Sequence, residues 1–297
     1  MILIIDGNQL ACRCYFSLEG KRLSNSQGKR TETIYGVLCS LRKLIREYAH
    51  SDSVVFMTWD GGNERRRSFY PEYKAGRKKF ENAFYEQLDE LRKIIKCLGI
   101  KQYHIENVEA DDIIGTLTYK CRKKGKKVLI VSSDHDFEQL ISRHVEVLHP
   151  LGKNLIKDVQ FVIDTYGVPP EKLVEVMAIT GDPTDNIVGI ESIGDKTAAK
   201  LIIANGSLEN VLSKPEELKF LNRKGEVVDA KNDLKEKIKA NINNIKTAYR
   251  LVEICNDIEG VEPDFLVQQK DPEKLEQIFK ELEFRQFTNE NEFWKRH

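Results

Sequence analysis

Residues 1–8 read MILIIDGN, residues 53–60 read SVVFMTWD and residues 128–136 read VLIVSSDHD. Each is a short apolar, largely β-branched run that stops on an aspartate: Asp6, Asp60 and Asp134. Runs of this length, closed by polar turn formers, read as buried strands. Between them the period changes. Over 33–49, Ile34, Val37, Leu38, Leu41 and Ile45 fall on one helical stripe, and over 81–98 Leu88, Leu91, Ile95 and Leu98 do the same. Short strands are expected at 102–105 and 145–149, and a helix starting near Glu109. Strands alternating with helices imply an α/β fold, with a mainly parallel central sheet and flanking helices. In such sheets the ligand site lies beyond the carboxyl ends of the strands.

Acids collect at those ends. The candidates are Asp6, Asp60, Glu109, Asp111, Asp112, Asp134, Asp136, Asp182 and Asp185. Carboxylates that converge repel one another and require a compensating cation, and hard oxygen donors favour Mg²⁺ or Mn²⁺. The Glu109/Asp111/Asp112 group opens a helix, where the dipole helps hold negative charge; acids in a first turn are also common as plain caps.

The chain has 297 residues and a formal net charge of +0, so overall charge selects no partner. Local polarity is strong: bases gather at 64–79 and 119–127. The first cluster interleaves Phe69, Tyr70, Tyr73 and Phe80 with its cations, a mixture suited to single-stranded nucleic acid, and it starts at the expected active-site edge. A solvated charged loop, mobile when free, is the alternative. Cys12 and Cys14 form a CxC with no second close pair to complete a zinc site. Six cysteines at apolar or helical positions suit a reduced, cytoplasmic setting. No stretch is long enough to span a membrane, and MILIID is too short for a signal core.

Beyond residue 158 the pattern becomes helical. Asp158 should cap one helix, Pro169-Pro170 should start another that runs to Thr180, and further helices are expected at about 232–248 and 272–283. Residues 213–235 read as a polar connection. Gly194-Asp195-Lys196-Thr197 lacks the full phosphate-loop pattern, which excludes a nucleoside triphosphate site of that kind. A glycine-bearing hairpin over 189–194 followed by a helix fits a helix–hairpin–helix, with backbone amides, Lys196 and Lys200 receiving a phosphate. An ordinary packing element is the competing reading. A dinucleotide-binding fold is excluded because no G-x-G-x-x-G follows the first strand.

IIDGNQLACR at 4–13, YKAGR at 73–77, VEADD at 108–112, SSDHDFEQL at 132–140 and ITGDPTDNIVGIESIGDKTAAKL at 179–201 occur in that order. Carrying them, the chain resembles the 5′-nuclease (flap endonuclease) family in its bacterial and phage branch. That branch holds stand-alone phage 5′-3′ exonucleases and the N-terminal 5′-nuclease domain of bacterial DNA polymerase I. The resemblance covers nearly the whole chain.

It implies a PIN-like core at 1–165 with a basic helical arch at 64–90, and a helical region at 166–297 with its helix–hairpin–helix at about 180–213. It also implies a Mg²⁺-dependent 5′-3′ exonuclease and flap endonuclease using two metal ions, in replication or RNA-primer removal, with Mn²⁺ able to substitute. Asp6, Asp60, Glu109 and Asp111 would serve the first ion. Asp134 would border both, Asp136, Asp182 and Asp185 would surround the second, and Asp112 would support through water. Lys74 and Arg77 would meet the scissile phosphate and Arg13 would lie near it. Ser192, Ile193, Gly194, Lys196, Thr197 and Lys200 would grip duplex DNA, with a K⁺ at the hairpin.

The expected partner is a monomer's DNA substrate with a 5′ flap or 5′ end, or an RNA–DNA hybrid. Relatives carry an aromatic six residues after the first aspartate, where this chain has Cys12, so either Tyr15 or Phe16 stacks on the 5′ base instead or the 5′ end is held less tightly. A non-catalytic branched-DNA-binding paralogue and another metal-dependent (ribo)nuclease of similar fold are the rival readings.

Overall fold

Alternation within the apolar runs builds a sheet buried on both faces. The computed structural model describes residues 1–289, apart from 19–20, 22, 51, 151–154 and 267. In chain order its elements begin β1 (Ile2–Asp6), α1 (Gly7–Leu18), α2 (Glu32–Tyr48), β2 (Val54–Trp59), α3 (Glu64–Arg67), α4 (Asn82–Cys97), β3 (Lys101–His104) and α5 (Ala110–Lys123). Next come β4 (Val128–Val131), β5 (Val145–His149), β6 (Leu155–Lys157), α6 (Val159–Tyr166), α7 (Leu173–Thr180), α8 (Asp195–Asn205) and α9 (Leu208–Ser213). The chain continues through β7 (Lys219–Leu221), β8 (Val227–Asp229), α10 (Asn232–Ala240), α11 (Ile242–Val252), α12 (Pro272–Glu281) and α13 (Arg285–Asn289).

The sheet order is β3-β2-β1-β4-β5-β6, parallel throughout except for β6, which runs antiparallel to β5 at the edge. Successive strand residues point to opposite faces. Ile5, Met57, Leu129 and Val131 therefore enter one core with α1, α2, α4 and α12. Ile2, Ile4, Phe56, Val128 and Ile130 enter the other, against α5 and Val162 of α6. A third core, from α7 to α11, belongs to the helical part of the chain.

Gly7 makes the turn from β1 into α1 possible. A Cβ there would sit 2.8 Å from Thr58 O and the Trp59 ring, so only glycine lets the helix start directly against β2. This fixes Asp6 between the ends of β2 and β4.

Four expectations change. The basic segment 64–79 is not a free loop. It forms the short α3 and consecutive turns, and Arg66 and Tyr73 are buried, because the acids behind them attract the cations. Helix α4 begins at Asn82 and sends Phe84, Leu88 and Leu91 into the core, so any arch is confined to 64–81 rather than 64–90, and only α3 within it is helical. The 213–235 connection contains the antiparallel β7–β8 pair, too short for alternation to show, and the helix expected at 232–248 is broken at Asn241. The boundary expected at 165/166 falls at the end of α6, and the second expected unit runs past the last described residue. Among the described residues no helix is long and apolar enough to cross a membrane.

Candidate active site

Parallel pairing sets the acids side by side. Asp6 ends the central β1, Asp60 follows β2, and Asp134 follows β4 by way of Ser132 and Ser133. Asp6 accepts from Gln9 N at 3.0 Å and from Ser132 Oγ at 3.1 Å, while Ser132 Oγ also accepts from Asp134 N at 3.1 Å. Asp60 accepts from Ala110 N at 2.9 Å, which ties the end of β2 to the start of α5 and brings Asp111 in. Asp134 accepts from Asp136 N at 2.9 Å. Asp6, Asp60, Asp111 and Asp134 then line one cleft of about 740 Å³.

A second cleft of about 560 Å³ adjoins it, lined by Asp134, Asp136, Asp182 and Asp185. Asp134, Gln9 and Arg77 face both clefts. Within the second, one ligand oxygen from each of Asp136, Asp182 and Asp185 lies within 4.8 Å of the others. Asp182 caps the one-turn helix that carries Asp185, accepting from Thr184 N at 2.7 Å.

Crowding leaves an electrostatic mark. Burial, then Asp60 and Asp134, push the Asp6 carboxyl up to about 7 against the hydrogen bonds from Gln9 and Ser132. Asp111 is raised by burial and by Asp134, Glu109 and Asp60, and Asp136 by burial and by Asp134, Asp185 and Asp182. Such repulsion is what a hard divalent cation relieves, and an all-carboxylate donor set fits Mg²⁺ or Mn²⁺.

The basic segment closes over the acids. Lys74 pairs with Glu109 and lies 3.5 Å from Asp185, Arg77 pairs with Asp185, and Lys74 N donates to Asp185 O at 3.0 Å. Burial opposes the Lys74 charge, but Asp111, Glu109, Tyr73 and Asp185 raise its pKa well above the ordinary lysine value.

Two of the expected acids are tied to cations. Asp112 is spent on Arg66, whose Nη1 and Nη2 donate to Asp112 Oδ2 and Oδ1 at 2.7 and 2.9 Å; Cys255 N adds a bond of 2.9 Å to Oδ1. Asp112 therefore anchors an arginine at the base of α5. Glu109 lines neither cleft, and Arg66 (2.7 Å), Tyr73 (3.2 Å) and Lys74 hold its two oxygens. Arg13 meets His149 at 3.3 Å across the sheet's edge and makes no ion pair with these acids among the described residues.

The expected stacking aromatics also sort differently. Tyr73 is buried against the acids, Phe69 lies under Arg250 (4.0 Å), and Tyr15 is buried beside Phe84. Phe80 and Tyr85 share the first cleft with Cys12, so aromatic surface reaches the place where Cys12 leaves room. Phe16 is exposed on the outer side of that cluster.

Arg66 escaped the sequence reading because nothing distinguishes it from Arg65 or Arg67 in ERRR. Only the fold shows that it joins Glu109, Asp112, Leu251 O (2.8 Å) and Glu253 O (3.0 Å). The pair Glu138 and Lys157, both buried, was missed likewise; Glu138 also accepts from His135 Nδ1 (2.9 Å) and so steadies the Asp134–Asp136 turn from beneath.

The hairpin and α8 follow Asp182 and Asp185 in the chain, and Asp195 at the start of α8 lines the second cleft. Ser192 adopts φ +66°, Gly194 caps α8, and Ser192, Gly194 and Lys196 are exposed while Ile193 is buried, so Ile193 offers only its backbone outward. Thr197 and Lys200 are half-buried on the first turns of α8.

The family model described as 5′-3′ exonuclease, N-terminal resolvase-like domain, matches residues 1–167, and that of the 5′-3′ exonuclease, C-terminal SAM fold, matches 168–276. The thermostable DNA polymerase I of Thermus thermophilus is 34% identical over 292 residues, which are 97% of this chain and 33% of the polymerase. The chain thus spans about a third of the length of the polymerases it matches. A 5′-3′ exonuclease of Buchnera aphidicola is 33% identical over 234 residues, 78% of this chain and 80% of that protein.

Among solved structures, T5 5′-exonuclease with divalent zinc ions superposes with a TM-score of 0.66 at 21% identity, covering 95% of this chain and 98% of that one. The catalytic core of Rad2 in complex with DNA substrate gives 0.57 at 16%, covering 95% and 87%. These two likenesses show the fold. Two adjoining family models over 1–276, on a sheet whose carboxyl ends gather the acids, place the chain in the 5′-3′ exonuclease family.

Proposed function

We propose that the chain hydrolyses phosphodiester bonds of 5′-ended and 5′-flapped DNA, with two Mg²⁺ ions (Mn²⁺ substituting) held by its carboxylates. The observation that carries this is the pair of adjoining acid clefts, with Asp134 facing both and the cations of 64–79 closing over them. Asp6, Asp60, Asp111 and Asp134 would hold one ion; Asp136, Asp182 and Asp185, with Asp134 at the border, the other. Bound ions supply Lewis-acid activation of water and neutralise charge on the attacking and leaving oxygens.

The chain's own residues do the rest. Gln9 N and Ser132 Oγ orient the Asp6 oxygens, and the Ala110 amide orients Asp60. Lys74 and Arg77, poised on the rim between the clefts, neutralise and position the scissile phosphate. The 192–197 hairpin and Lys200 receive the duplex backbone at the start of α8, with K⁺ at the hairpin carbonyls. Arg66 acts through Glu109 and is a positioning residue. The setting we assign is replication, including removal of RNA primers, with the protein a cytoplasmic monomer.

One gel assay tests this. A 5′-labelled flap, a nicked duplex and an RNA–DNA hybrid are incubated with Mg²⁺ or EDTA, and Asp134→Asn is run beside the parent. Cleavage that needs Mg²⁺ and disappears in the variant, while flap binding persists, is expected. Turnover near the parent's in Asp134→Asn defeats the two-ion assignment, and binding without cleavage by the parent would make the chain a non-catalytic paralogue.

A further inference from the structure

A parallel sheet has two ends, and only one holds the acids. At the other end, strand β3 begins at Lys101 and β4 is preceded by Lys126 and Lys127. Beside β3 lies a cleft of about 1080 Å³ into which Lys93 and Lys96 come from α4, Lys101 from β3, Lys270 from the approach to α12 and Lys274 from α12 itself. Its lining contains just two acids, Asp271 and Glu273. Asp271 is already engaged in capping α12, accepting from Lys274 N at 3.0 Å.

The cleft is built into the fold. Gly99 has φ +72°, and a Cβ there would stand 2.8 Å from Gln268 O, so glycine is what lets the 268–270 segment lie against the end of α4. Asp271 N then donates to Cys97 O at 2.9 Å. A smaller cavity next to it is shared by Lys101, Lys270, Phe265 and the exposed Leu266. Lys124 and Lys126 lie over the Phe265 ring at 5.2 and 5.7 Å, which joins the basic run at 119–127 to the same belt.

Neutralisation is partial. Lys101 pairs with Asp264 (3.5 Å) and Lys93 with Glu90 (3.4 Å), whereas Lys96, Lys124, Lys126 and Lys274 have no ion pair among the described residues. Burial holds Lys270 below the usual lysine pKa. A charge run on one helix is ordinarily a solvated face. Here cations from three chain segments converge on a cleft with protein walls, which focuses positive potential on whatever enters it. Lysines interleaved with an aromatic and an exposed leucine match a phosphodiester strand with its bases.

We propose that this belt, on the amino-terminal edge of the sheet, is a second polynucleotide site that takes the phosphate backbone of a strand lying outside the catalytic cleft. Strands of four to six residues at about 3.3 Å each set the two edges roughly 13–20 Å apart, and the belt opens on the edge opposite the acids.

The test uses the full chain in EDTA at low salt. The front site is filled with an unlabelled flap whose arms are about 6 base pairs, and a labelled single strand of about 20 nucleotides is added while anisotropy is followed. The parent is expected to take up this second strand. Lys96→Glu/Lys274→Glu should weaken that step about tenfold, and should lower the slope of log K against log salt by about 1.4 for two lost phosphate contacts. Its affinity for the short flap and its Mg²⁺-dependent cleavage should stay within about twofold of the parent, as expected for residues remote from the chemistry. Should the reversal impair folding by CD, Lys96→Gln/Lys274→Gln carries the same comparison. No second strand on the parent, equal uptake by the variants, or poly-glutamate binding as tightly as the strand would each overturn the proposal.

Discussion

Arg66→Met is the most telling single change, because one guanidinium serves two carboxylates that solvent cannot reach. Asp112 and Glu109 are 1% and 4% exposed, and Arg66 itself is 4% exposed. Arg66 donates to Asp112 twice, to Glu109 once, and to the carbonyls of Leu251 and Glu253. Methionine retains much of the apolar stem but leaves both acids without this partner. Asp112 keeps the Cys255 amide and the exposed Arg65 at 3.6 Å, while Glu109 keeps Tyr73 and Lys74.

Breaking a buried pair from one side costs about 3–5 kcal/mol. At roughly 2–4 °C per kcal/mol this lowers Tm by about 6–20 °C. Urea unfolding followed by far-UV CD gives the free energy. A cycle with Asp112→Leu separates a specific pair from general damage, and the double variant should recover at least about 2 kcal/mol relative to the sum of the singles. A loss under about 1 kcal/mol for Arg66→Met, or simple additivity in the cycle, would refute the buried-fork argument. Arg66→Lys should rescue only partly, since an ammonium cannot reproduce the two-pronged contact.

Further changes can be read from the same geometry. In EDTA the raised Asp6 carboxyl favours the folded state below about 3.8, and that contribution fades as pH rises through about 7, because the unfolded chain gives up the proton first. Mg²⁺ should accordingly raise Tm more at pH 8 than at pH 5; equal stabilisation by calorimetry at both values would remove Asp6 from the ion site. Lys74→Met should reduce kcat for flap cleavage by about 100-fold, through loss of a phosphate-stabilising cation; an unchanged kcat would leave Lys74 as a partner of Glu109 alone. Cys12→Tyr extends the Phe80 and Tyr85 wall of the cleft and should tighten 5′-end binding by a few-fold, equivalent to about 1 kcal/mol of stacking. Anisotropy showing weaker binding would count against that wall as a base platform. Removing the charges of Lys196 and Lys200 should lower the salt slope of duplex binding by about 1.8 without sequence preference, and an unaltered slope would take α8 off the DNA.

The sequence by itself determined the sheet, its parallel sense and the edge that bears the acids. Continuous apolar runs of strand length, interrupted by stripes of period 3.6, carry that information locally, and an aspartate closing a strand is visible wherever its strand ends. Hence Asp6, Asp60 and Asp134 stand where the pattern put them, facing common clefts.

What only the tertiary structure decided is how charges pair. Asp111 and Asp112 are neighbours in VEADD, yet Asp111 faces the cleft and Asp112 is closed off by Arg66, because adjacent helical residues point about 100° apart. Arg65, Arg66 and Arg67 look alike in the chain, but Arg66 is buried between α5 and the end of α11, whereas Arg65 stays exposed 3.6 Å from Asp112 and Arg67 is exposed. Asp136 meets Asp182 and Asp185, and the lysines at 93–101 meet those at 270–274, across long stretches of intervening sequence. Ion pairing depends on a few ångströms between elements brought together by packing, and no periodicity along the chain encodes that distance.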